Sequence, residues 1–178
     1  TPFADAVPRA LDLRHRINTN LVQVHTLKII GDGTPEAHTA LMLEPYADLP
    51  DSRGESPFTP GDMARLIAEA DVAELDIHVH ACGDGSVRAA LDAFEAAMAA
   101  NPEYDRRHTI AHLVLVDDAD TARFAELGVV AQFSGNWMSA DPDSVDILLE
   151  RFGPERQRRI YRPRTMLDTG AVIAFGTD

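Results

Sequence analysis

The chain is poor in cysteine, in lysine and in positive charge. It contains one cysteine, Cys82, and one lysine, Lys28, among 178 residues. A single thiol cannot form a disulfide within the chain, which leaves the compartment open, and a cytoplasmic location is the working expectation. Acidic residues outnumber Lys+Arg by 29 to 16, for a formal net charge of -13. Because such a surface repels phosphate backbones, we expect no nucleic-acid partner.

Long hydrophobic runs are absent as well. No apolar stretch approaches the ~20 residues that a membrane-spanning helix requires, so we expect no membrane partner. Hydrophobic residues nevertheless make up 45% of the chain, which is enough for a sizeable core. The first residues carry neither a start methionine nor a signal peptide, and residues 171–178 predict a buried strand with nothing after it. From both ends we expect a piece of a longer chain.

Segments that favour strand alternate with segments that favour helix along the whole chain. Strands are predicted at residues 21–30, 74–81, 108–115, 129–134 and 171–178. Helices are predicted at residues 8–17, from 59 onwards, at 83–100, 118–127 and 143–152, and in a segment that ends at 165–168. Strands separated by helices imply an α/β fold with parallel pairing. No GxGxxG motif follows the first strand and there is no P-loop, so a nucleotide-binding sheet lacks support.

Polar residues collect where the predicted strands end. They are Lys28 and Asp32, His80 and Asp84, His112, Asn136, and Asp178. In (β/α)8 barrels the chemistry lies at the carboxyl ends of the strands. This shared location is the strongest functional signal that the residues give by themselves.

Two segments offer histidines as metal ligands. Side chains alternate along a strand, so Asp76, His78 and His80 face the same way, and both imidazoles could reach one cation. His112 lies among apolar residues of the next strand, in the same relative position as His80. In each case the alternative is a core histidine bonded to the backbone.

Lys28 and Asp178 each have a structural and a chemical interpretation. A lone cation in an apolar run either extends to the surface or has reacted with carbon dioxide, giving a carbamate that can bridge two cations. Asp178, at the tip of a strand, could bind a metal, accept a proton from water, or cap a following helix. Lys28, His80, His112 and Asp178 together suit Zn²⁺, with Mn²⁺, Fe²⁺ or Co²⁺ as alternatives.

Four motifs in register resemble the third amidohydrolase family, the branch that contains N-substituted formamide deformylase. They are residues 27–33 with 39–46, residues 79–84 with 91–95, residues 107–112, and residues 175–178. The resemblance implies a partial (β/α)8 TIM barrel, approximately strands 4 to 8. Residues 1–178 would then be the C-terminal part of a metal-dependent hydrolase, without the first strands and the flanking β-domain.

The resemblance also implies a role for each matching residue. Lys28 would be the bridging lysine, its carboxylation left open. His80 and His112 would bind one metal ion, and Asp178 would be both ligand and proton shuttle. His78 would be an additional histidine without a family role. The sequence departs from the family pattern at Ala111, where an acidic residue is common, and at Thr177, where serine is commoner.

The activity that this family implies is hydrolysis of an amide-like carbon–nitrogen bond in a small molecule, with one or two divalent metal ions, Zn²⁺ foremost. His108, Asn136 and Trp137 are candidates for the rim of the substrate pocket, with ordinary loop packing as the alternative. Rival functions are a deaminase, a lactone or phosphoester hydrolase, or an inactive fragment that lacks the first-strand histidines. Because a part-barrel has open sheet edges, we expect association with the remainder of the barrel or with a second copy.

Overall fold

A computed structural model describes residues 3–139 and 141–178 of the chain. Five strands form one parallel sheet in chain order, each paired with the next. They are β1 (Thr26–Ile30), β2 (Asp76–Ala81), β3 (Thr109–His112), β4 (Val130–Ser134) and β5 (Ile173–Gly176). The predicted α/β class with parallel strands is confirmed, and the arrangement is that of part of a (β/α)8 barrel.

Helices connect the strands and cover one face of the sheet. They are α1 (Ala6–Ile17), α2 (Pro60–Val72), α3 (Asp84–Ala100), α4 (Asp118–Thr121), α5 (Arg123–Glu126), α6 (Pro142–Gln157) and α7 (Pro163–Asp168), with a 3₁₀ turn at Gly135–Met138. None of these described helices combines the length and the apolar character that a membrane crossing demands.

The alternation of β2 shows how the sheet divides into two faces. Ile77, Val79 and Ala81 are fully buried on what we call the outer face, against the helices. Asp76, His78 and His80 lie on the opposite, inner face and are only partly buried. The helical stripes of α2 and α3 supply the other half of the core, as their 3.6-residue spacing predicts. The inner face is therefore free to carry polar side chains.

Several predicted strands are shorter in the structure, the last of them at Ile173–Gly176 rather than 171–178, and the first and third show why. The first strand begins at Thr26 rather than at residue 21, and Leu21 is 95% exposed, so its apolar side chain packs against nothing in the described chain. The third strand ends at His112 because His112 and Leu113 adopt φ values of 79° and 50°, which a strand cannot contain. Both differences arise at strand ends, where apolar composition continues beyond the regular backbone.

The long segment between β1 and α2 is tied to α6 and stands beside the sheet's carboxyl edge. Arg156 donates hydrogen bonds to the carbonyl oxygens of Glu44, at 3.0 Å, and Pro45, at 2.7 Å. The backbone N–H of Ala47 donates to the carbonyl of Arg151 at 2.8 Å. These contacts fix a segment with almost no regular structure, so it can serve as one wall of a cavity.

Candidate active site

Three of the predicted site residues meet at the carboxyl edge of the sheet. The rings of His80 and His112 have their centroids 4.4 Å apart. Oδ2 of Asp178 lies 3.9 Å from Nδ1 of His112. All three line one cavity of about 300 Å³. The other lining residues are Thr34, Pro35, Glu36, Cys82, Val114, Ser134, Trp137 and Tyr161.

His112 reaches this cavity through an unusual backbone conformation. In the β2–β3 register His80 is paired with Ala111, and Ala81 with His112. Simple alternation would therefore place His112 with Ala81 on the outer face. The positive φ values of His112 and Leu113 turn the chain at this point, and the imidazole packs beside that of His80 instead. Non-glycine residues in the left-handed region are concentrated at functional sites.

Each histidine has one ring nitrogen occupied by a protein partner. Nε2 of His80 lies 3.1 Å from the carbonyl oxygen of Gly33, which can only accept, so the proton is on Nε2 and Nδ1 keeps its lone pair. Nδ1 of His112 lies 3.1 Å from the hydroxyl of Ser134, which leaves Nε2 without a partner among the described residues. Metal-binding histidines are oriented by such a contact on the nitrogen that does not face the metal.

The electrostatics of the site favour neutral imidazoles. Burial lowers the pKa of His80, and the contact with Gly33 opposes this in part. Burial and the neighbouring His80 ring lower the pKa of His112 to about 4. Neutral imidazole is the form that binds a divalent cation. At neutral pH both rings are therefore ready to act as ligands.

Lys28 lies on the inner face of β1, directly opposite His78 in the β1–β2 register. It is exposed, and no hydrogen bond or ion pair to another described residue holds it. Desolvation lowers the pKa of its amine, while the negative charge of Asp178 raises it. His78 beside it has a buried Nε2 with no hydrogen-bond partner in the described part of the chain. The Lys28 amine and Nε2 of His78 are therefore two nitrogen groups on the inner face that have no hydrogen-bond partner among the described residues.

A second cluster lies behind His80, where ligand atoms of Asp32, His80 and Cys82 come within 4.8 Å of one another. Asp32 already accepts backbone hydrogen bonds from Cys82, Gly83 and Leu41, at 2.9 to 3.0 Å. Burial raises its pKa to about 7 against the effect of these bonds, and burial also raises the pKa of the Cys82 thiol. Because three backbone donors already occupy the carboxylate of Asp32, we interpret this cluster as support for the His80 ring and the β2–α3 turn.

Lone pairs remain on further donor atoms at this edge which, unlike those of Asp32, His80 and Cys82, do not all lie within 4.8 Å of one another in the described chain. They belong to Nδ1 of His80, Nε2 of His112 and the carboxylate of Asp178, with the amine of Lys28 on the same face. Imidazole and carboxylate donors of this kind suit Zn²⁺ and its first-row neighbours.

The residues predicted at the rim of the substrate pocket lie in different surroundings in the structure. Trp137 lines the cavity and is 57% exposed. Asn136 occupies the same 3₁₀ turn but is exposed and is not among the cavity-lining residues.

His108 requires a correction, because the prediction that it lies at the pocket rim is wrong. It precedes the first residue of β3, at the opposite end of the sheet, and is 1% exposed. Its Nδ1 accepts a hydrogen bond from the backbone of Ile77, at 3.2 Å, and its Nε2 donates to Asp71, at 3.0 Å. Both ring nitrogens are used in the protein interior, so His108 has a structural role.

Sequence reasoning overlooked Ser134, Tyr161 and Glu36. Ser134 was visible only as the last residue of a predicted strand, which is where site residues collect. Tyr161 and Glu36 lie in irregular segments whose position the sequence pattern does not specify. Asp84, the first residue of α3, uses its carboxylate to accept a hydrogen bond from the backbone N–H of Leu43 at 2.8 Å.

Comparison with known proteins covers nearly the whole chain. LONG AFTER FAR-RED 3 of Arabidopsis thaliana is 31% identical over 153 residues, 85% of this chain and 26% of that protein. Putative amidohydrolase YtcJ of Bacillus subtilis (strain 168) is 27% identical over 157 residues, 88% of this chain and 28% of its own length. Among solved structures, an uncharacterized metal-dependent hydrolase from Pyrococcus furiosus is similar with a TM-score of 0.75 and 29% identity, over 96% of this chain and 35% of that one.

The chain thus spans roughly a quarter to a third of the length of these relatives. The model of the amidohydrolase family itself matches residues 4–178, in agreement with the four sequence motifs. The chain belongs to the amidohydrolase family.

Proposed function

We propose that the full-length protein hydrolyses the carbon–nitrogen bond of a non-peptide, small-molecule amide with the help of one or two divalent metal ions, Zn²⁺ foremost. Residues 1–178 are the C-terminal part of its barrel. The observation that carries the proposal is the convergence of His80, His112 and Asp178 in one cavity, although they lie at the ends of three different strands. Each imidazole has one ring nitrogen held by a protein partner and the other without one among the described residues.

The cation would be held by His80, His112 and Asp178, with Lys28 as a further ligand in its carboxylated form. A divalent metal ion supplies Lewis acidity, which polarises a carbonyl and lowers the pKa of a coordinated water to near 7 in well-formed zinc sites. The lowered pKa of the Lys28 amine favours the unprotonated form that reacts with carbon dioxide. That reaction would convert the single lysine of the chain into a carboxylate.

The protein's own groups then position and move the protons. The carboxylate of Asp178 accepts a proton from the attacking water and delivers it to the leaving nitrogen as the carbon–nitrogen bond breaks. Ser134 and Gly33 hold the two imidazoles in place during this cycle. Pro35, Val114 and Trp137 form apolar walls that limit access of bulk water.

The relatives support a metal-dependent hydrolytic reaction. The similar solved structure is described as a metal-dependent hydrolase, and the Bacillus relative as a putative amidohydrolase. Since both are about three times as long as this chain, the missing strands would contribute further ligands. The open apolar groups at the two sheet edges, Ile30 at 51% and Phe175 at 64% exposed, are where those strands and their helices would pack.

The first test is the metal content of the full-length gene product, reconstituted with bicarbonate and zinc and measured by elemental analysis. We expect bound metal in the wild type, and loss of at least one equivalent in His112→Ala and in Lys28→Ala. Cys82→Ser is the matched control and should retain its metal, because its thiol is interpreted as support. Metal retained in both alanine variants, or lost in Cys82→Ser alone, would contradict the assignment.

The second test is a substrate panel of N-alkyl and N-aryl formamides and acetamides, with a lactone and a phosphoester for comparison. Metal-dependent release of amine from the amides is the expected result. Carboxylation of Lys28 can be followed separately, as a carbamate resonance after incorporation of ¹³C-bicarbonate. Turnover of the ester substrates without any amide turnover would reject the carbon–nitrogen specificity.

A further inference from the structure

Tyr161 is held in a strained backbone conformation at the edge of the cavity. Its φ is 44°, in the left-handed region that a bulky side chain rarely adopts. The backbone N–H of Tyr161 donates to the carbonyl of Val114 at 3.0 Å, and the preceding Ile160 forms a bridge with Leu115. The segment that follows β3 therefore fixes Tyr161, and both Val114 and Tyr161 line the cavity. Strain of this kind is maintained only where the surroundings enforce it.

The hydroxyl of Tyr161 differs from those of the other two tyrosines. The hydroxyl of Tyr46 donates to the carbonyl of Ala40 at 2.7 Å. The hydroxyl of Tyr104 donates to Asp71 at 3.1 Å and lies 3.2 Å from the carbonyl of Leu75. Among the described residues, Tyr161 alone of the three has a hydroxyl without a partner. The oxygen is not among the buried polar atoms that lack a partner, so it stays accessible to a molecule that enters the cavity.

The electrostatic surroundings of Tyr161 favour the protonated phenol. Burial raises the pKa of Tyr161, and the neighbouring ionisable groups of Cys82 and Glu36 act in the same direction. Both of these neighbours line the same cavity. The phenol therefore stays protonated at neutral pH and can act as a hydrogen-bond donor.

We infer that the Tyr161 hydroxyl donates a hydrogen bond to the carbonyl oxygen of the substrate, which makes Tyr161 a catalytic residue. This inference rests on the proposed amide hydrolysis. When water adds to the carbonyl carbon, the carbon–oxygen double bond becomes a single bond and the oxygen takes the electron pair. A fixed, neutral donor stabilises that charge without reorganisation.

The same geometry narrows the substrate class to uncharged amides. The carboxylate of Glu36 forms no ion pair with another described residue, and Glu36 lines the same cavity as Tyr161. A substrate carboxylate next to the scissile carbonyl would meet this like charge. A neutral amide with an apolar substituent would instead contact Val114 and Trp137.

The test compares Tyr161→Phe with Tyr46→Phe in the metal-loaded, full-length protein. Tyr161→Phe keeps the ring and removes only the hydroxyl, and should lower kcat about 100- to 1,000-fold, the typical loss of one such donor, with little change in KM. Its metal content and thermal midpoint should match the wild type. Tyr46→Phe removes a hydroxyl bonded to the backbone and should leave kcat unchanged, since Tyr46 does not line the cavity. An unchanged kcat in Tyr161→Phe, or an equal loss in both variants, would overturn the inference.

A binding measurement separates this inference from the proposed function. A phosphonate in which a tetrahedral phosphorus replaces the amide carbonyl mimics the charged transition state. Wild type should bind it more tightly than Tyr161→Phe, by the same factor as the loss in kcat. If the wild type hydrolyses no amide, the proposed function fails, and the Tyr161 contact then stands only if the phosphonate still distinguishes the two proteins. Equal binding, or no binding to either, would reject it.

Discussion

His108 and His112 are four residues apart, one just before β3 and the other its last residue, and they have opposite surroundings. His108, at the amino end, is 1% exposed and uses both ring nitrogens within the protein. His112, at the carboxyl end, uses one nitrogen for Ser134 and faces a cavity with the other. The sequence alone does not distinguish their roles, because each is a histidine next to apolar residues of the same predicted strand.

The amino end of the sheet is a closed polar network centred on Asp71, which is 1% exposed. Its carboxylate accepts hydrogen bonds from Arg106, Asn101, Tyr104 and His108, at 2.8 to 3.1 Å. Burial alone would raise the pKa of Asp71, but these donors outweigh it and hold the pKa well below its usual range. Every lone pair of the Asp71 carboxylate has a partner. This network therefore stabilises the fold and leaves no atom of that carboxylate free to bind a ligand.

The carboxyl end is built in the opposite way. Its imidazoles, its lysine and the hydroxyl of Tyr161 keep groups that no described residue satisfies. An unsatisfied polar group costs free energy unless a ligand or solvent completes it. The contrast teaches that unsatisfied donors and acceptors, rather than residue type, distinguish the site from the scaffold.

We expect the largest effect on stability from a substitution that breaks the hydrogen-bond network of Asp71. Asp71→Ala leaves the charge of Arg106 and the proton on Nε2 of His108 without partners in the interior. We expect a loss of about 3–5 kcal/mol in the free energy of unfolding, measured by urea denaturation. Metal affinity should be unaffected in the fraction that folds, because the network lies at the other end of the sheet. Equal stability of variant and wild type would show that the network contributes nothing.

The same carboxylate predicts how stability depends on pH. Because the folded pKa of Asp71 lies below its unfolded value of 3.8, its contribution is present above that value and is lost as the pH falls through the folded pKa. Stability measured by denaturation should therefore decline on acidification below about pH 4, with Asp71 protonation contributing to the slope. Asp71→Asn should flatten this part of the profile. An identical slope in the variant would assign acid sensitivity to other groups.

We expect a smaller effect from a substitution that removes the partner of His112 in the cavity. Ser134→Ala removes the hydroxyl that orients His112, and should weaken metal binding about 10- to 100-fold, as measured by competition with a chelating dye. Ser86→Ala is a suitable control, because Ser86 is buried and its hydroxyl has no partner among the described residues. Similar losses in both variants would indicate a general packing defect rather than a role for Ser134.

The smallest effect is expected at the exposed turn beside the cavity. Asn136→Ala should change the free energy of unfolding by no more than about 0.5 kcal/mol and should leave turnover unaltered, since its side chain has no described partner. Trp137→Ala, one residue further along, should raise KM because it removes part of the cavity wall. Steady-state kinetics on the two variants compares them directly, and a larger loss from Asn136→Ala would reverse their assigned roles.

Much of the fold could be predicted because local pattern and burial agree. In β2 and α2 the apolar spacing matches the period of the element, and the predicted residues are the buried ones. The ends of elements were less predictable, as at Leu21, where apolar composition continues into a segment that packs against nothing. Of the site, the positions at strand ends followed from the topology of parallel strands, which brings their carboxyl ends to one edge.

The sequence by itself determined the α/β architecture, the family and the set of polar residues at the strand ends, because these depend on periodicity and on motif spacing. Only the tertiary structure decided which of those residues face one another. The turn of His112 toward His80 depends on two positive φ values, and the roles of His108, Ser134 and Tyr161 depend on partners 20 to 50 residues away. Such contacts are set by strand register and loop packing, which no local pattern encodes.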